Sequence, residues 1–264
     1  MLKLKNANKT FNAGTVNEKK ALIDINLHLN EGDFVTVIGG NGAGKSTVLN
    51  IIAGVFPIDR GLITINGIDI TDEPEHKRAK LIGRVFQDPM KGTAAGMGIE
   101  ENLAMAMRRG KRRGLSWAIK KSERAQYKAL LQTLELGLED RLTAKVGLLS
   151  GGQRQALTLL MATIIKPKLL LLDEHTAALD PKTAKKVLEL TQQIVERDNL
   201  TAIMVTHNMK DAIRMGNRLI MMHNGRVIYD VSGEEKKQLQ VADLLKKFGT
   251  AGDGEFANDR MLLS

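Results

Sequence analysis

Gly39–Ser46 reads GGNGAGKS, the spacing G-x-x-x-x-G-K-[ST] of a loop that wraps phosphate. Gly39, Gly42 and Gly44 have no Cβ, so backbone N–H groups can close around phosphate oxygens. Lys45 then places a point charge near the β- and γ-phosphates, and Ser46 offers a hydroxyl to Mg²⁺. Far downstream, LLLLDEH sets Asp173 and Glu174 at the end of an apolar run. A carboxylate there suits Mg²⁺, and a second one beside it suits a base that activates water. Gln87 follows LIGRVF and His207 follows LTAIMVT, so both lie at strand ends. Each is within the chemistry of a γ-phosphate, its Mg²⁺ or the attacking water, although a lone Gln or His in such a place is usually structural. Last, LSGGQRQ at Leu149–Gln155 has the composition of another phosphate cradle at a helix N-terminus.

The elements needed to hold these groups are visible in the pattern. LKLKNANKTF and ALIDINLHLN alternate as strands, and DFVTVIGG is a buried strand entering the glycine loop. KSTVLNIIAG has helical spacing and stops at Gly54. Asn66-Gly67 and Asn224-Gly225 read as hairpin turns. KLLLL and LTAIMVTH read as covered parallel strands. Asp180-Pro181 reads as an N-cap followed by Pro at N1. Between them, from about Asp88 to Gly147, IEENLAMAMRR and SERAQYKALLQTLEL are helical and form an inserted lobe in an α/β core.

Composition narrows the class. The 264 residues carry a net charge of +9, 43% hydrophobic and 3% aromatic residues, and no cysteine. Aliphatic side chains must fill the core, and no disulfide or thiolate metal site exists. No apolar run approaches the ~20 residues of a membrane span. The N-terminal sequence lacks the apolar stretch of a signal peptide, so a cytoplasmic protein is expected. RRGKRRG, Arg108–Gly114, is either a nucleic-acid patch or a solvated helix end. No interleaved aromatics offer stacking platforms, which favours the helix end.

The ordered set of phosphate loop, Gln87, LSGGQ, LLLLDE, Ala178–Asp180 and His207 resembles the nucleotide-binding subunit of ABC transporters over nearly the whole chain. The resemblance implies an α/β fold: a P-loop ATPase core with an antiparallel β subdomain and an inserted helical subdomain at about 88–165. It makes 1–248 the ATPase domain and 249–264 a tail, with no further regulatory domain. It implies an ATPase using ATP and Mg²⁺. Glu174, His207, Lys45 and Gln87 would be catalytic, and Ser46, Gln87 and Asp173 would hold the metal. Nucleotide contacts would come from Phe11, Gly39, Asn41, Gly42, Ala43, Gly44, Lys45, Ser46 and Thr47. In this family two copies pack head to tail, so Ser150, Gly151, Gly152, Gln153 and Asp180 would serve the nucleotide of the opposite chain. That explains a second cradle in one sequence. Phe11 stands where an aromatic stacks on adenine, with a core aromatic as the alternative.

Partners follow from the same resemblance: a homodimer with ATP at its interface, separate transmembrane permease subunits, and through them an extracellular solute-binding protein. The chain would lie at the cytoplasmic face of the membrane, with no nucleic acid bound. The loop DPMKGTAAGMG and the helical lobe would receive the permease. Met90, Met97, Met105 and Met107 suit such a surface or, with slightly more weight, the lobe core. GRVFQDPMKGTA and DEHTAALDPKTA look like bacterial importers with a branched-chain-type permease, some associated with tryptophan or other amino acids. An exporter ATPase is the alternative, and a soluble ABC protein acting on nucleic acid is a weaker one. One departure concerns the reaction centre: His175 replaces the family's usual Pro after the catalytic Glu. It either makes hydrolysis pH-sensitive or, as favoured, is a tolerated change.

Overall fold

The computed structural model describes residues 1–111, 119 and 121–251. In chain order the strands are β1 (Leu2–Phe11), β2 (Lys19–Leu29), β3 (Phe34–Gly39), β4 (Arg60–Ile65), β5 (Ile68–Asp69), β6 (Ile82–Val85), β7 (Leu169–Asp173), β8 (Thr201–Val205), β9 (Arg218–His223) and β10 (Arg226–Ser232). The helices are α1 (Lys45–Ala53), α2 (Glu75–Arg78), α3 (Ile99–Met107), α4 (Lys121–Gln132), α5 (Gly151–Thr163), α6 (Pro181–Arg197), α7 (Met209–Arg214), α8 (Gly233–Lys237) and α9 (Val241–Ala251). Two compact units result: Met1–Arg78 with the chain from Leu200 onward, and Ala79–Asn199.

The first unit contains an antiparallel sheet in the order β2-β1-β4-β5. β1 alternates, with Leu2 and Leu4 inward and Lys3 and Lys5 outward. The register then shifts between Leu4 and Ala7, where Asn6 takes a φ of 46°. Beside this sheet's chain segments, β3 pairs in parallel with both β8 and β9. All six residues of β3 and all five of β8 are buried, as expected for strands covered on both faces. The Asn66-Gly67 and Asn224-Gly225 turns have positive φ at both residues, 51° and 78°, then 45° and 74°. Asn and Gly tolerate that conformation, which matches the twist of the flanking strands.

α1 ends where Gly54 turns left-handed at φ 83°. A feature with no sequence signal completes that end. Arg78 is 3% exposed and its guanidinium donates to the Ile51 and Ile52 carbonyls at 2.6 and 2.9 Å. A cation thus satisfies the last carbonyls of α1. Lys236 does the same for α7, donating to the Ile213, Met215 and Gly216 carbonyls. Burial pulls its pKa down to about 8, so at neutral pH it still carries the proton it donates.

The second unit holds the parallel pair β6 and β7, in register from Ile82 with Leu169 to Val85 with Leu172. α5 passes so close to β6 that a Cβ on Gly83 would sit 2.6 Å from the Ala162 carbonyl oxygen. Arg109 donates to that same carbonyl at 3.1 Å and to Ile165, closing the end of α5. Arg108 pairs with Glu123 at 3.0 Å. Both readings of the basic cluster therefore need correction for its first two residues, which are internal fasteners of this unit. Arg112–Gly114 lie outside the described residues, as does most of the 249–264 tail.

Candidate functional site

In the first unit the glycine loop leaves the buried end of β3 and enters α1. The backbone needs its glycines for reasons read directly from contacts. A Cβ on Gly39 would collide with the Met222 carbonyl oxygen. Gly44 has φ 101°, and a Cβ there would lie 2.7 Å from the Ala21 oxygen. Gly42 is also left-handed, at φ 76°. Ala43 is held on both sides, its N–H donating to Gly40 and its carbonyl accepting from Gly225. Lys45 is 7% exposed, and its ammonium donates to the Gly39 and Gly40 carbonyls at 2.8 and 3.1 Å. The cation is curled into its own loop, while Asn41 and Ser46 are exposed and Thr47 half-buried. The result is a backbone cradle at a helix N-terminus with a lysine in it, which suits a polyphosphate.

His207 follows β8 in the same unit and is half-buried. Its placement comes from the turn around it. Thr206 N–H donates to Val37, and Asn208 caps α7 by accepting from Asp211 N–H at 3.1 Å. Phe11 ends β1, half-buried, with its ring edge against Phe56 at 5.2 Å and 83°. Lys9 lies 5.6 Å from its centroid.

In the second unit the acidic pair stands at the end of β7. Asp173 and Glu174 are both half-buried. Gln87, exposed just beyond β6, donates from Nε2 to Glu174 Oε2 at 3.5 Å. Arg84 approaches Asp173 at 4.0 Å and lies over the Phe86 ring at 4.6 Å. The parallel pairing of β6 and β7 creates this cluster, since it sets both strand ends side by side. Arg84 carried no sequence signal, because only the register reveals which residue of β6 meets Asp173.

LSGGQ begins α5. Ser150 accepts from Gln153 N–H at 3.3 Å, and Ser150 N–H donates to Gln153 Oε1 at 3.2 Å, a reciprocal capping box. Ser150 and Gly151 are exposed and Gly152 is buried. A Cβ on Gly152 would collide with the Thr183 methyl, so α6 itself requires this glycine. Gly152→Val is expected to lower the unfolding midpoint by the equivalent of about 1–3 kcal/mol, checked by urea titration. Asp180 caps α6, accepting from Thr183 N–H at 3.1 Å ahead of Pro181.

His175 overturns the pH-sensing alternative. Its ring does not face the reaction centre; it is 2% exposed and lies 3.0 Å from Thr191 Oγ1. Burial pushes its pKa down to about 4 from an ordinary 6.5. The unfolded chain takes up this proton below about pH 6.5, and the folded chain refuses it until about pH 4. Stability is therefore complete above that window and falls as pH drops through it, by up to ~3 kcal/mol. His175→Gln is expected to remove that part of the acid sensitivity and to leave the pH profile of activity above pH 7 unchanged. Urea midpoints at pH 7 and pH 4.5 check the first, and rates from pH 7 to 9 the second.

The methionines also differ from the favoured expectation. None of the four is fully buried: Met90 and Met105 are 42% and 37% exposed, against the core expectation, and Met97 and Met107 are half-buried. The apolar residues α3 buries are Ile99, Leu103 and Ala104; Met105 lies off that stripe, whereas Met107 continues it, four residues after Leu103, and is half-buried at the helix end.

Comparison with known proteins agrees with this geometry. A family profile described as ABC transporter matches residues 22–177. A tyrosine transport ATP-binding protein of Clostridioides difficile (strain R20291) is 45% identical over 249 residues, covering 94% of this chain and 98% of that protein. A spermidine/putrescine import ATP-binding protein of Haemophilus influenzae (strain ATCC 51907 / DSM 11121 / KW20 / Rd) is 34% identical over 89% of this chain, which spans only 59% of that longer protein. A dimeric ATP-binding cassette, solved in a post-hydrolysis state with ADP and Pi, is 32% identical with a TM-score of 0.75, over 88% of this chain and 98% of that one. The chain belongs to the ABC transporter family and is one of its ATP-binding, ATP-hydrolysing subunits.

Proposed function

We propose that this subunit energises import of an amino acid or similar small solute, working as a head-to-tail pair beneath a membrane permease. The observation that carries the import reading is the near full-length similarity to a tyrosine transport ATP-binding protein, with an import protein among the other relatives. Among the described residues no helix is long and apolar enough to cross a membrane. In this reading the permease is a separate chain. It is of the branched-chain type and takes solute from an extracellular binding protein, which places this subunit at the cytoplasmic face. In this reading residues 1–248 are the ATPase domain and about 88–165 its helical subdomain. Met90, Met105 and Leu148, the last 73% exposed, offer the apolar surface that the permease covers.

Each residue then has a task. Phe11 stacks on the adenine, and the loop amides from Gly39 to Thr47 wrap the phosphates. Lys45 turns its ammonium from the loop carbonyls to the β- and γ-phosphates. Glu174 takes the proton of the attacking water, with Gln87 holding its carboxylate. His207 and Lys45 stabilise charge on the transferring phosphoryl group. Ser150, Gly151 and Gly152 of the partner subunit complete the site, with Gln153 and Asp180 shaping that surface. Ser46, Asp173 and the Gln87 amide oxygen would hold Mg²⁺, since each is a hard oxygen donor. When bound, Mg²⁺ neutralises charge on the β- and γ-oxygens.

Deleting the subunit from its cell is expected to lower energy-dependent uptake of labelled tyrosine or tryptophan, restored by the wild-type chain and not by Lys45→Ala. Unchanged uptake of amino acids with reduced efflux of a solute would make it an exporter.

A further inference from the structure

We propose that His175 is a positioning residue for hydrolysis: its buried hydrogen bond to Thr191 on α6 fixes the turn that carries Glu174. The inference rests on the assignment of Glu174 as the base that activates water.

Glu174 needs such a hold. Eight non-glycine residues have positive φ among those described, and six of them are Asn or Asp. Those side chains tolerate the left-handed region, and a glutamate does so less readily. Glu174 nevertheless has φ 42°. Backbone in that state persists when its surroundings over-determine it. One restraint is local, the Ala177 N–H donating to the Glu174 carbonyl at 3.0 Å. The other is the next side chain along. His175 shares a peptide plane with Glu174, so fixing its ring restrains the direction in which the carboxylate leaves the backbone.

The hydrogen-bond bookkeeping fixes the ring as well. Thr191 has one hydroxyl proton and is placed to donate it to the Val187 carbonyl at 2.8 Å. Its oxygen must then accept from His175, which sets the proton on Nε2 at 3.0 Å. Thr191 is fully buried in the middle of the apolar face of α6, between Leu188 and Ile194. Thr191 keeps its bond to Val187 in any case, but a His175 N–H turned away from Thr191 would be left without a partner in an apolar setting, so the ring is satisfied in this arrangement. The pair therefore selects one orientation of the turn and ties it to a rigid helix.

The test is a kinetic comparison of full-length variants. His175→Leu and Thr191→Val are each expected to lower kcat for ATP by about 10- to 100-fold, with KM for ATP held within about 3-fold. His175→Gln returns a donor near the Nε2 position and Thr191→Ser returns the hydroxyl, and both are expected to stay within about 3-fold of wild type. In a Glu174→Gln background His175→Leu is expected to change nothing further, since it acts through the missing carboxylate. Wild-type kcat in His175→Leu or Thr191→Val would overturn the inference. So would parallel losses of kcat and ATP affinity, or failure of the two conservative variants to rescue. If His175→Leu does not fold, the Thr191→Val and Thr191→Ser pair decides alone. A Glu174→Gln protein with normal turnover would instead remove the base assignment, and this inference with it.

Discussion

Replacing Glu174 by Gln is expected to lower ATP hydrolysis by about 10²- to 10⁴-fold, the usual worth of a positioned general base, and to change ATP binding little. The substitution is nearly isosteric. The new amide oxygen still accepts from Gln87, which now donates at 3.5 Å, so the strand end keeps its shape. What disappears is the negative charge that, in the proposed mechanism, takes a proton from water. Because that charge acts in the transition state and not on bound nucleotide, kcat and kcat/KM fall together. Phosphate release in steady state, set beside equilibrium binding of a fluorescent ATP analogue, separates the two effects. Equal losses of binding and turnover would mean that Glu174 holds the nucleotide and is not the base.

Lys45→Ala has the other large effect, and its signature is different. The ammonium is buried against the Gly39 and Gly40 carbonyls, so its removal takes a donor from each, although Gly40 still accepts from the Ala43 N–H. That loss costs about 1–3 kcal/mol, partly offset because a buried charge goes with it. The nucleotide-free protein is therefore expected to melt close to wild type. With ATP the two diverge. A ligand at 100 times its Kd stabilises the folded state by about 2.7 kcal/mol, and the variant is expected to lose nearly all of that. Its kcat/KM is expected to fall by about 10³-fold, since the point charge proposed to meet the phosphates is gone. Melting curves with and without Mg²⁺-ATP check the first part, and turnover checks the second. A variant still strongly stabilised by ATP would contradict the loop as the phosphate site.

The parts of the fold legible in the sequence are those where backbone geometry demands a residue type. Gly54 ends α1 because a left-handed residue is needed there, and both Asn-Gly pairs make turns for the same reason. Asp180-Pro181 and Ser150 announced their helices through capping chemistry that acts within three residues. The glycine loop was legible because close approaches and left-handed backbone demand glycine at Gly39, Gly42 and Gly44. Arg78, Arg109 and Lys236 were invisible. Each satisfies carbonyls at a helix end that only the tertiary fold brings near, and in a sequence they look like any surface cation. His175 was misread in one alternative for a related reason. The chain shows a titratable ring next to Glu174, but its direction depends on Thr191, sixteen residues away on α6. The methionines mislead because a flexible apolar side chain fits a core and a docking face equally well; the phase of α3 separates only Met105 from its buried stripe, and Met90 and Met97 lie in the loop before that helix. Nor does a single chain display what a second copy adds, so the role of the Ser150 cradle comes from the family and not from its own contacts.

That role is the central claim, and ATP-dependent dimerisation of Glu174→Gln tests it most directly. Light scattering compares this variant with and without Mg²⁺-ATP, alone and with Ser150→Arg added, and in complex with the permease where the isolated subunit stays monomeric. The account predicts that ATP converts monomer to a stable dimer, or closes the assembled pair, and that Ser150→Arg abolishes the change. A pair that forms equally well with Ser150→Arg, or no ATP-driven closure in the assembled complex, would contradict a site shared between two copies.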